Sequence, residues 1–181
     1  MELFSTHADV SKTDFVDRNG SVVYRIHTDS HAHLVKNKTT IAHFESKDGA
    51  DSQPETIAEI AWRTFKDDLV TFRGHQFEAE SFMPNHGITT AKRDFKATSG
   101  RAYYWVEASL HAANGVEVAR WHEKSHSFTG RAHQAYLYIA DLEILDDLDE
   151  IVLVLVYHLM RYSARGASNV NPGTAGEQAT G

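Results

Sequence analysis

The chain has 181 residues and is 41% hydrophobic, enough for one domain around one ordinary core. It has no cysteine, which excludes disulfides and thiolate chemistry. Its net charge of −7 argues against wholesale binding to nucleic acid or to an anionic membrane. The start, MELFSTHADVSKTDF, has no basic segment followed by an apolar run, so no signal peptide is read there and a cytoplasmic address is expected.

Most of the chain reads as short strands. Glu2 to His7 is a first candidate. Asp14 to Asp17 runs into Asn19-Gly20, a strong hairpin signal, and Ser21 to His27 returns with period-2 alternation. Asp29 to Lys38 is polar and reads as loop, Thr39 to Glu45 as strand, and Ser46 to Pro54 as loop. Thr56 to Phe65 has a helix-like composition, but its position in a hairpin meander favours a strand. Three more hairpins follow: Leu69 to Phe82 around Gly74, Arg93 to Ala108 around Ser99-Gly100, and a return through Asn114-Gly115 into Val116 to His122. Ala135 to Ile144 is the last strand and is expected to feed directly into a helix.

That helix is predicted at about 147–164. Asp146 or Asp147 is a candidate cap, Asp149 and Glu150 lie in the first turn, Arg161 is near the end, and Gly166 reads as a stop. Ile151 to Tyr157 is apolar without a break, so the helix is apolar nearly all round and must be surrounded. The run is too short to cross a bilayer, which takes about 20 apolar residues, so the surroundings are expected to be protein. About a dozen strands and one such helix predict a mainly β fold: a closed antiparallel barrel around a hydrophobic C-terminal helix. One domain over 1–165 and a disordered tail over 166–181 complete the expectation.

This pattern, with the ending YLYIADLEILDDLDEIVLVLVYHLMRYSAR as its most specific part, resembles the tubby C-terminal-like superfamily, which includes the scramblases and LURP-one-related proteins. The segments FVDRNGSVVYRI, TIAEIAWRTF, FKATSGRAYYW and LDEIVLVLVYHLMR are closer still to an uncharacterised domain family of mushroom-forming fungi. The superfamily resemblance implies a closed barrel and lipid binding; the fungal family brings no activity with it. No lipid-binding residue is carried over.

Candidate sites come from the residues themselves. Lys92, Arg93, Lys96 and Arg101 form a basic cluster around a hairpin, within a stretch (61–105) holding seven Lys/Arg against five Asp/Glu. They can hold a phosphorylated headgroup, or they are simply a solvated hairpin. His31 and His33, at i and i+2, are the metal candidate, but no third ligand follows at the usual distance and a solvated loop is the bland alternative. His122 to His126 reads HEKSH, the spacing of the zincin HExxH motif, but the stretch ends a predicted strand and reads as a turn rather than as the helix that motif needs. His158, inside the apolar helix, is read as a hydrogen-bonded core residue, with a ligand or pH-sensing role as the other reading. No nucleophile elbow, phosphate loop or dinucleotide fingerprint is present.

Three functions remain open. The first is a binding module for a lipid headgroup or a protein partner. The second is a structural or regulatory fungal protein without a small ligand. The third is a metal-dependent enzyme using His31 and His33. No cofactor and no nucleic-acid partner are expected.

Overall fold

A computed structural model describes residues 1–29, 38–45, 53–86, 92–125 and 133–168, with side chains as far as Arg161. There are twelve strands, and most of them alternate inward and outward residues, as a half-buried sheet requires. They are β1 (Glu2–Ser5), β2 (Lys12–Val16), β3 (Val22–Asp29), β4 (Lys38–His43), β5 (Glu55–Ala61), β6 (Leu69–Phe72), β7 (His75–Glu78), β8 (Lys92–Lys96), β9 (Ala102–Val106), β10 (Ser109–Ala112), β11 (Glu117–His122) and β12 (Tyr136–Ile139). A single helical turn, α1 (Ala79–Phe82), separates β7 from β8, and the long helix α2 (Leu148–Ser168) ends the described chain.

Turn chemistry sets the hairpins. At Asn19-Gly20, the Asp17 carboxylate accepts the Asn19 and Ser21 amides at 2.8 Å each, and Gly20 takes φ +83°. This is a three-residue loop with glycine at its left-handed position, rather than a two-residue turn. The two-residue turn occurs at Arg73-Gly74, where both residues have positive φ (45° and 82°).

All twelve strands form one antiparallel sheet in the order β7-β6-β5-β4-β3-β2-β1-β12-β11-β10-β9-β8. Two meanders are thus joined where β1 pairs with β12, Leu3 opposite Leu137. The expected closed, tubby-like barrel is corrected: the sheet is open, with β7 and β8 as its edges. Closure would need those two strands to pair. Instead the chain between them takes that place. Ala79 N–H donates to Asp68 C=O at 2.9 Å and starts α1, and the segment after α1 meets β8. His86 N–H donates to Lys92 C=O at 3.0 Å, and Asp94 N–H to Pro84 C=O at 3.2 Å.

The sheet nevertheless encloses α2. Ile151 to Val156 have no exposed surface, and Leu148 and Tyr157 are buried with them. Inward residues of every part of the sheet meet this helix in one core, among them Phe15, Ile41, Val70, Trp105 and Leu137. On β9 the alternation buries Tyr103 and Trp105 and turns Tyr104 outward.

Three expectations at the C-terminal end are corrected. β12 stops at Ile139, and a 3-10 helix (Leu142–Asp147), capped by the Asp141 side chain on the Glu143 amide, stands between strand and helix. The helix starts at Leu148 and runs through Gly166 to Ser168, so one glycine does not stop it and the first tail residues are helical. Residues 169–181 lie outside the described residues. Among the described residues, no helix is long and apolar enough to cross a membrane.

Candidate functional site

The acidic residues where the 3-10 helix passes into α2 are a set of anchors, not a set of solvated caps. Asp147, Asp149 and Glu150 are buried. Asp147 accepts from Tyr103 Oη at 2.7 Å and from Arg101 at 3.2 Å. Asp149 accepts from Tyr24 Oη and the Arg73 guanidinium, both at 2.8 Å, with His43 Nδ1 at 3.2 Å. Glu150 accepts the Thr98 amide at 3.0 Å and its hydroxyl at 2.5 Å. Buried carboxylates need such partners, and the helix dipole favours their charge at this end. Burial, with the Asp147 hydrogen bond, pushes the Tyr103 phenol up to about 12. Burial and the Asp149 charge also raise that of Tyr24. These phenols stay protonated as donors, which makes the cluster structural.

The opposite end carries a matching anchor. Asp68 is buried and accepts from Tyr157 Oη and the Arg63 amide, each at 2.8 Å, and from Arg161. Burial pushes the Tyr157 phenol up to about 12. His158 is buried, its Nε2–H donates to the Glu107 carbonyl at 2.8 Å, and its ring lies 6.4 Å from Trp105. That is a hydrogen-bonded core histidine. Glu107 holds the carbonyl in place with φ +53°.

The basic cluster is split by the alternation of β8. Arg93 points inward and is 5% exposed. It donates to Met83 C=O at 2.8 Å and to Glu80 at 3.0 Å, and its guanidinium lies 4.8 Å from the Tyr157 ring. It ties α1 and β8 to the core. Arg101 donates to Glu143 C=O at 2.5 Å as well as to Asp147, so it holds the 3-10 helix. Only Lys92 and Lys96 share an outward face. The four residues therefore do not form one headgroup cradle, and the lipid-binding expectation is corrected on that geometry.

Lys92 and Lys96 instead border a groove of about 520 Å³ along the open seam, a size in the range of ligand clefts. Phe82 and Pro84, from α1 and the segment after it, line it with Phe95 and Tyr104. Lys92 Nζ lies 4.4 Å from the Tyr104 ring and 3.1 Å from Asp94, which His86 Nε2 also approaches at 3.3 Å. Lys96 is exposed and has no ion-pair partner among the described residues. The groove is thus apolar at its base, with a surplus of positive charge on its rim. β8 also offers backbone here. Because Ala97 N–H bonds to Arg101 C=O across the hairpin, the alternate residue Lys96 directs its amide and carbonyl away from β9, toward the seam.

The groove was illegible in the sequence. Its two lysines were marked, but Phe82 and Pro84 come from a turn that no periodicity announces. His31, His33 and His126 lie outside the described residues. Among the described residues no group of three or more His, Asp or Glu is placed to hold a metal.

No curated protein and no solved structure matches this chain. A family model, described as a family of unknown function (DUF6593), matches residues 8–162, from the turn before β2 to beyond the buried part of α2. The match takes in both meanders and the enclosed helix, and the chain belongs to the DUF6593 family.

Proposed function

We propose that this protein is a binding module that receives a short acidic segment of a protein partner in the seam groove. The observation that carries the reading is the open sheet: edge strand β8 stands beside an apolar groove rimmed by Lys92 and Lys96. An extended segment laid there can hydrogen-bond the outward backbone of Lys96 and place alternate side chains toward the lysines and toward Phe82. Lysine on an edge strand also discourages pairing with the wrong strand, so an acidic segment is the kind that the same charges admit.

The test is fluorescence anisotropy with the full chain and a labelled peptide of alternating Glu and Val. Lys96→Glu should weaken binding at least about tenfold, a loss of ~1.4 kcal/mol, and added salt should weaken it too. A peptide with Ser in place of Glu should not bind. Equal binding by the Lys96→Glu variant, or no binding by the parent protein, would remove this reading and leave a structural or regulatory role.

A further inference from the structure

A second feature lies away from the seam, where the later turns of α2 emerge. Phe65, on the loop from β5 to β6, is 96% exposed, more than any other large hydrophobic side chain among the described residues. A single exposed apolar residue is ordinary. This one stands on a loop fixed at both feet. Trp62 stacks on Tyr157 at 5.3 Å and donates Nε1–H to Thr39 Oγ1 at 2.7 Å. Asp68, at the other foot, is held by Tyr157, Arg161 and the Arg63 amide. A side chain presented on so fixed a base loses little further freedom on docking.

The same end of the molecule has a cavity of about 460 Å³ walled by Trp121, Leu159, Met160 and Val10. Asp9 and Glu123 stand on its rim, with Lys124 beside them. Along the β5–β6 loop, Arg63 and Lys66 flank Phe65, with Asp67 beyond. The projection is therefore aromatic with a basic collar, and the cavity apolar with an acidic surplus. Both are built on the turn of α2 from Tyr157 to Arg161, since Tyr157 and Arg161 hold the loop while Leu159 and Met160 line the cavity. A two-fold axis through that end would bring each projection to the other copy's cavity, giving a closed, self-complementary pair.

We infer that this end is a homodimer interface, in which Phe65 of each copy enters the Trp121–Leu159–Met160 cavity of the other. The inference is independent of the seam groove.

Sedimentation velocity of the full chain tests it, over concentrations from about 10 μM to about 1 mM, where weak dimers populate. The parent protein should show a monomer–dimer equilibrium that weakens with salt. Phe65→Glu removes the projection. Ala8→Trp fills the cavity from an exposed loop position on its lining. Each variant should dimerise at least about tenfold more weakly. Mixed together they should form heterodimers, because the intact Phe65 of one meets the open cavity of the other. Lys96→Glu should leave dimerisation unchanged. Circular dichroism melts of both variants establish that they are folded. A parent protein that stays monomeric at the highest concentration overturns the inference. So does a Phe65→Glu variant that dimerises like the parent, or a mixture with no heterodimer.

Discussion

The two ends of α2 are built differently. At its start, three buried carboxylates are answered from three parts of the sheet: Asp147 by Tyr103 and Arg101 and Glu150 by Thr98, all on the β8–β9 hairpin, and Asp149 by Tyr24 on β3 and Arg73 in the β6–β7 turn. At its other end one buried carboxylate, Asp68, comes from the sheet and gathers groups of the helix itself, Tyr157 and Arg161. The first end is laced to three regions of sheet. The second is tied by a single buried carboxylate, by the His158–Glu107 hydrogen bond and by rings and a guanidinium packed on Tyr157, and it leaves a cavity beside it. Attachment at many points fixes the helix in a sheet that does not close on itself.

The sharpest way to break this picture lies between the two ends. Leu155→Asp places an unpaired carboxylate at a site with no exposed surface. It should cost more than about 4 kcal/mol and prevent cooperative folding. A soluble variant with an unchanged melting temperature would mean that α2 is not enclosed.

Removing an anchor comes next. Asp149→Ala leaves the buried Tyr24 hydroxyl without its acceptor and frees Arg73, and should cost about 3 kcal/mol by denaturant unfolding. Asp68→Ala leaves Tyr157 and Arg161 unanswered and should cost about 2 kcal/mol, less because Arg161 can turn to water. If the Asp68 variant proves the less stable, the lacing at the first turn is not what secures the helix.

The smallest effect concerns neither end. His122 on β11 stacks on Tyr136 at 4.4 Å, and burial, with Arg120 and His133 nearby, holds its imidazole below the ordinary histidine range. A lowered value in the fold means that the unfolded chain takes the proton first. Stability from this group is therefore complete above about pH 6.5 and is lost as the pH falls from there toward the lowered value. His122→Phe should flatten the melting temperature between pH 7 and pH 5 relative to the parent. A parallel slope in the variant would place the sensitivity elsewhere.

Particular residues show what could be read early. Alternation in AYYWV places Tyr103 and Trp105 inside, and the unbroken run from Ile151 to Tyr157 calls for surroundings, because both patterns are local and both are energetically costly to violate. The split of Lys92, Arg93 and Lys96 was also legible in principle. Consecutive residues of a strand face opposite sides, so a basic run on β8 cannot be one patch. The groove at the seam was not legible, because Phe82 reaches it only through a turn.

The amino-acid sequence by itself determined the number of strands, the hairpins and the all-round apolar helix, since each depends on neighbours along the chain. Whether the sheet closes depends on two edges that carry no mark of their own. β7 ends where Ala79 bonds to Asp68, β8 takes its outer bonds from Pro84 and His86, and the sheet stays open between them. Tertiary structure alone decided that, along with the partners of the three buried carboxylates. Pairing across 44 or more residues is set by packing geometry, which no local pattern encodes.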